Sequence, residues 1–299
     1  MTHATADAGP YGNSAAIRLL RLGLAASQRL WPALADRAAL RLFATPVPWR
    51  RKRRRPDWGR AWQVEQWPFE RNELTLYTRA SAAPGHAVLL VHGWGGHAGQ
   101  MLALADALST LGLQPVLLEM PAHGLSRGGA SNLPQFARAV EYAAAQLQQR
   151  GHTLQLLVAH SLGANAAAHA VSRGLPVQGL VLLAPTASPH EYTRLFARLF
   201  GLTETTRARM QERIEAREGV LMTQFEPAAV GPRIRLPTLV VHDRGDRINR
   251  FADGEAYSRT IAGARLHATE GLGHGKILRD AGVLARVAGF AGDALSAAR

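Results

Sequence analysis

Residues Val158–Ala170 read VAHSLGANAAAHA. Ser161 stands between an apolar run and an alanine-rich segment, with Ala159 and Gly163 two residues away on either side. A buried strand that turns abruptly into a helix holds its corner residue in a strained conformation and needs small neighbours. A helix amino terminus beneath that corner favours developing negative charge. The same pattern also suits a purely structural corner, so the meaning of Ser161 depends on what converges on it.

Outward from this stretch the chain alternates. From Glu73 onward the short apolar runs are ELTLYTRA, HAVLLVHG, QPVLLEM, LQLLVAHS, VQGLVLLAP, PTLVVHD and ARLHATEG. Helix-like segments separate them near 99–111, 132–150, 162–173, 249–262 and 276–296. Near-continuous Val/Leu runs suit strands covered on both faces, and their alternation with helices implies right-handed βαβ units. The expected fold is therefore α/β, a mostly parallel, doubly wound sheet. Between Ala184 and Pro237 no strand is evident, and the interval reads as two or three helices. It is expected to be an inserted lid, about residues 186–232, after a sheet strand. Tyr192, Leu195, Phe196, Leu199 and Phe200 form a stripe at helical spacing there, read as packing rather than substrate surface.

In a doubly wound sheet reactive groups gather at the carboxyl ends of strands. Besides Ser161, two later ends carry matching chemistry. In VVHDRGDRIN, either Asp243 or Asp246 could accept a hydrogen bond from a histidine ring nitrogen. In GLGHGKIL, His274 lies between glycines, which permit close approach to a neighbouring strand end. Imidazole is a suitable general base for a serine hydroxyl. Upstream, LLVHGWGGHAG ends in a glycine-rich turn. Backbone amides there, with Trp94 directly after His92-Gly93, together with the amide of Leu162, could hold an oxyanion. No Gly-x-Gly-x-x-Gly or Lys-Ser/Thr pair accompanies that turn, which argues against a phosphate loop.

With HGWGG at 92–96, MPAHGLSRG at 120–128, AHSLGA at 159–164, HDRGDRI at 242–248 and GLGHGKIL at 271–278, the chain resembles the α/β-hydrolase fold superfamily over roughly residues 70–297. The resemblance implies Ser161 as nucleophile, His274 as base, and the Trp94 and Leu162 amides as oxyanion donors. The family's acid lies three residues after a His-Gly pair, which maps onto Asp246, although Asp243 occupies the glycine position. Ala159 stands where glycine is more frequent, and Glu119 where a strand-end aspartate is common. Serine rather than aspartate at position 161 excludes the relatives with an aspartate nucleophile, the haloalkane dehalogenases and epoxide hydrolases. The implied activity is hydrolysis of small carboxylic esters, lipid-derived esters or thioesters through an acyl-enzyme, with no metal or organic cofactor. The alternative is a non-catalytic binding protein on the same fold.

The 299-residue chain is 47% apolar and carries a net charge of +13, unevenly placed. Twelve Arg/Lys and three Asp/Glu fall in the first sixty residues. Residues 1–58 are read as a basic, amphipathic amino-terminal extension and 59–299 as the catalytic domain. Residues 14–44 are expected to be helical, with Ser14 as cap, Ile17, Leu20 and Leu24 on one stripe and Arg18, Arg21 and Arg29 on an opposing arc. Trp31, Trp49 and Trp58 are candidate anchors against the body. The run WRRKRRRPDW, Trp49 to Trp58, reads first as a solvated connector and second as a cationic site for an anionic partner. Residues 14–55 together are the candidate for peripheral membrane contact. Nucleic-acid binding is not expected, since no reading motif or aromatic platform accompanies the arginines. There is no cysteine, which excludes disulfides and thiolate chemistry. With no signal-peptide pattern, a cytoplasmic location is expected. The sequence leaves the oligomeric state open.

Overall fold

Each central Val/Leu run forms a strand whose side chains enter two separate cores. The structure is a computed structural model that describes residues 15–46, 58–80 and 84–297. The strands are β1 (Trp62–Phe69), β2 (Asn72–Arg79), β3 (His86–Val91), β4 (Gln114–Glu119), β5 (Thr153–His160), β6 (Gly179–Leu183), β7 (Thr238–Asp243) and β8 (Arg265–Thr269). They make one eight-stranded sheet in the order β1-β2-β4-β3-β5-β6-β7-β8. β2 pairs antiparallel with β1 and β4, and all other neighbours are parallel. The helices are α1 (Ala15–Leu30), α2 (Pro32–Ala44), α3 (Leu102–Ser109), α4 (Leu133–Gln149), α5 (Leu162–Ser172), α6 (Pro189–Phe200), α7 (Glu204–Glu218), α8 (Pro227–Val230), α9 (Phe251–Thr260), α10 (Gly273–Lys276) and α11 (Ala281–Ala297).

Strand β5 shows how a continuous apolar run serves both faces. Leu154, Leu157 and Ala159 join a core with Phe136 and Ala143 of α4 and Ala166 of α5. Leu156 and Val158 join the opposite core with Leu104 and Leu108 of α3 and Val287 of α11. Leu154 and Leu156 would share a face in a regular strand. The register shift opposite Ala87/Val88 leaves Gln155 outside the pairing and reverses the parity. Gln155 is buried and its amide Nε2 lies 2.9 Å from His86 Nδ1.

Strand β1 was not anticipated, and it carries the sheet beyond the span where the family resemblance began. Its sequence WQVEQWPF mixes polar residues with Pro68, unlike the central runs, because it lies at the sheet edge. It buries Trp62, Trp67 and Phe69. Arg79 and Arg150 stack over Trp62 and Trp67, each 4.2 Å from the ring.

The amino-terminal segment is helical in two pieces, broken at Trp31-Pro32 because proline starts a helix well but cannot continue one. Trp31 is exposed and is not a buried anchor. Trp58 is half-buried and stacks on Tyr77 at 3.9 Å. Ser14, Trp49 and the basic run 50–55 lie outside the described residues. The hairpin packs on α6 and α7: Leu24 and Ala39 share a core with Phe196, Phe200, Met210, Ile214 and Met222. The interval between β6 and β7 is helical throughout its ordered elements, α6, α7 and α8 with short 3-10 turns. Among the described residues no helix is long and apolar enough to cross a membrane.

Buried Glu119 at the end of β4 organises the loops on either side. Its carboxylate accepts from Tyr77 Oη (2.7 Å), the Ala98 amide (3.0 Å) and the Leu125 amide (3.0 Å). A Cβ at Gly124, where φ is +49°, would lie 1.9 Å from Glu119 Cδ, so the loop closes onto this carboxylate only with glycine there. Glu119→Ala strands these donors, and urea denaturation should show a loss of about 3 kcal/mol. An unchanged midpoint would refute the organising role.

Candidate active site

Ser161 ends β5 and opens α5 with φ 55° and ψ −125°, a conformation that costs a non-glycine residue on the order of 1–3 kcal/mol. Its amide donates to Leu183 O at 2.9 Å, which ties the corner to β6. Small neighbours let the turn after β3 press against it. A Cβ on Gly93 would come within 2.6 Å of Ser161 Cβ, and one on Gly163 within 2.4 Å of His92 O. Leu162 is the first residue of α5, so its amide has no acceptor within the helix. Trp94 follows Gly93 in the abutting turn and is half-buried.

Two histidines hold that turn. The Gly95 amide donates to His123 Nε2 at 2.9 Å, and His123 Nδ1 lies 2.8 Å from Pro121 O. The Met120 amide donates to His92 Nε2 at 3.1 Å, and His92 Nδ1 lies 2.7 Å from Gly93 O. Each ring accepts at Nε2 and so carries its proton at Nδ1.

His274 lies in the short helix α10, reached from β8 through a turn where Gly271 and Gly273 take φ of 76° and 60°. The two aspartates of the β7 loop face different partners. Asp246 Oδ2 lies 2.7 Å from His274 Nδ1, and His274 Nε2 lies 3.0 Å from Ser161 Oγ. Asp243 instead accepts from the Leu272 amide (3.0 Å), Thr269 Oγ1 (2.8 Å) and the Gly245 amide (2.9 Å). Asp243 thus shapes the loop that carries His274, while Asp246 meets the imidazole. With an ionised Asp246 accepting from Nδ1–H, His274 Nε2 is free to accept from the serine hydroxyl.

The electrostatics agree with this geometry. Burial pushes the Asp246 carboxyl up, but hydrogen bonds from His242, His274 and the Ile248 amide hold it below the ordinary carboxylate value. His160 is pushed down to about 3, first by burial and then by His274. It is therefore neutral, and its Nε2–H donates to His274 O at 3.0 Å, buttressing the loop.

Sequence reading did not single out Asn249 or the site-facing role of Tyr192. Asn249 is buried; its Nδ2 donates to Ala184 O at 2.7 Å and lies 3.4 Å from Ser161 Oγ. Its Oδ1 accepts from Tyr192 Oη, which links Tyr192 to the serine through Asn249. Burial raises the Tyr192 phenol well above its usual range. Tyr192 thus leaves the apolar stripe of α6 for the site, while Phe196 and Phe200 pack beneath the amino-terminal hairpin. Leu195 of the same stripe is exposed. Among the described residues no group of three or more His, Asp or Glu is placed to hold a metal ion.

A family model described as serine aminopeptidase, S33, matches residues 82–226. No curated protein matches the chain. Among solved structures, Est1E from Butyrivibrio proteoclasticus is similar with a TM-score of 0.63 at 17% identity, covering 78% of this chain and 99% of its own. A thermophilic esterase from Thermogutta terrifontis gives 0.56 at 20% identity, covering 78% and 98%. A membrane phospholipase A, a bacterial virulence factor, gives 0.59 at 17% identity, covering 93% and 97%.

A depressed carboxyl stabilises the fold above its ordinary titration, near pH 4, and that contribution is lost as pH falls through the folded value. Asp246→Asn should therefore melt below wild type at pH 7, with the gap narrowing as pH falls from 5 to 3. A gap that stays constant across thermal melts in that range would contradict the ionised pairing.

Proposed function

The chain has the α/β-hydrolase fold, and on it we propose a serine hydrolase that cleaves carboxylic esters through an acyl-enzyme on Ser161. The observation that carries this reading is the continuous chain from Ser161 Oγ to His274 Nε2 at 3.0 Å and from His274 Nδ1 to Asp246 Oδ2 at 2.7 Å. The likeness to esterases and a thioesterase domain points the same way.

As Ser161 Oγ bonds the ester carbonyl carbon, its proton passes to His274 Nε2. Asp246 keeps the ring oriented and stabilises the imidazolium without taking the proton. The carbonyl oxygen becomes an oxyanion beside the first amide of α5 and the Gly93–Trp94 turn. The amides of Leu162 and Trp94 are the donors in this reading, each worth about 3–4 kcal/mol. Collapse breaks the bond to the alcohol, which leaves with the proton from His274. Water then gives a proton to His274 and attacks the acyl carbon, and Ser161 recovers its proton as the acid departs. Helices α6 to α8 act as the lid, and Tyr192 and Asn249 bound the space above the serine.

A fluorophosphonate probe tests the nucleophile, because Oγ displaces fluoride from phosphorus only when activated. Wild type should be labelled and Ser161→Ala should not; an unlabelled wild type would overturn the proposal. On a short-chain ester, Ser161→Ala should lose about 10⁶ in kcat and Asp246→Asn about 10⁴. Asp243→Asn should lose far less rate while lowering the melting temperature. Equal kinetic losses for the two aspartates would assign the acid wrongly.

A further inference from the structure

Helix α1 carries two apolar stripes, and only one of them is covered. Leu24 is buried against α6 and α7. The chain is clamped there by Gln28, whose Nε2 donates to Gly201 O at 3.1 Å and whose Oε1 accepts from the Thr203 amide at 2.7 Å. Helix α2 is tied down by Asp36, which is buried and paired with Arg213 at 3.2 Å and Arg209 at 3.9 Å. The opposite stripe of α1 is Leu19, Leu22, Ala26 and Leu30, spaced three and four apart and so on one face. All four are exposed, and Trp31 and Leu34 extend the apolar surface around the hairpin corner. Leu19, Leu22, Leu30, Trp31 and Leu34 range from 56% to 69% exposed.

We propose that this face of the hairpin docks onto an anionic phospholipid bilayer, lying in the interface with its leucines and Trp31 inserted. Charge chooses this occupant. Arg18, Arg21 and Arg29 run beside the stripe on one arc of α1, and Arg37 and Arg41 lie exposed on α2. Asp36 is the one acidic residue in 15–46, and it is buried and paired. A helix with an apolar face edged by arginines, and with no exposed carboxylate, matches the interfacial pattern of a headgroup-level helix. A second copy of the same face would set arginines against arginines. A nucleic acid would leave the leucine stripe in water. The sequence adds six consecutive basic residues, 50–55, shortly after the hairpin. The inference stands apart from the hydrolase reading, although α6, which the hairpin sits on, also supplies Tyr192 to the site.

The test is sedimentation of the full chain with vesicles of phosphatidylcholine alone or with 30% phosphatidylglycerol, at 50 and 500 mM salt. Wild type and Ser161→Ala should bind the anionic vesicles alike and the neutral ones at least tenfold more weakly, and high salt should weaken binding. Leu19→Glu/Leu22→Glu/Leu30→Glu should abolish sedimentation, and Arg18→Gln/Arg21→Gln/Arg29→Gln should weaken it about tenfold. Both variants should keep the wild-type circular dichroism and, on a water-soluble ester, the wild-type rate. If the glutamate variant does not fold, the glutamine variant decides. Brominated lipid should quench Trp31 fluorescence, an effect lost in Trp31→Phe. Failure to bind anionic vesicles, equal binding to neutral ones, or wild-type binding by the variants would overturn the proposal. So would a dimer dissociated by the glutamate variant, or tighter binding to a DNA duplex than to vesicles. If no ester is cleaved but the vesicles bind, the docking surface survives and the hydrolase reading falls.

Discussion

The approach of the β3 turn to the start of α5 is the constraint around which the site is arranged. Backbone there comes so close that a single added carbon at Gly93 or Gly163 would sit within 2.6 Å of its neighbour. Closeness of that order puts the Ser161 hydroxyl, the first amide of α5 and the Gly93–Trp94 backbone in one small volume. It also forces Ser161 into positive φ, a strain sustained by the β5–β6 ladder and the Leu183 bond. The alanines of α5 follow from the same demand. Ala164, Ala166, Ala167, Ala168 and Ala170 are fully buried, and larger side chains would lift the helix from the sheet.

Around this contact, buried polar groups act as braces between neighbouring loops. His92 and His123 fasten the β3 turn to the β4 loop, and Glu119 fastens that loop to β2 and to the turn before α3. Asp243 and His160 fix the loop that carries His274 from two sides. Asp246 is thereby left to face the imidazole. Two aspartates three residues apart do different work because one ends a strand and the other begins to leave it.

The second half of the architecture sits on the site rather than beneath it. Helix α6 belongs to two neighbourhoods at once: Tyr192 holds Asn249 beside the serine, while Phe196 and Phe200 are roofed by the hairpin. Without α1 and α2, two phenylalanines and Met210 would face water. The hairpin is thus part of the packing of this helical layer, and its own outer face is exposed and apolar.

Much of this was legible in the chain because it rests on local rules. Apolar runs buried on both faces, the small residues around Ser161, and an ordered series of strand ends follow from periodicity and steric size. The amphipathic arc of arginines on α1 could likewise be read from spacing. Other features needed the folded chain. β1 escaped notice because an edge strand tolerates Pro68 and polar residues and so lacks a continuous apolar run. Asp243 and Asp246 carry the same side chain, so only the loop path decides which reaches His274. Asn249 and Tyr192 offered no signal by type, since their partners are 65 and 57 residues away in sequence or are backbone atoms. Trp31 looked like an anchor by composition, yet the break at Pro32 turns it outward. The sequence by itself determined which residues are buried in strands and where reactive groups are presented, because those depend on neighbours along the chain. The tertiary structure decided which of them meet, because hydrogen-bond partners are chosen by distances that no local pattern encodes.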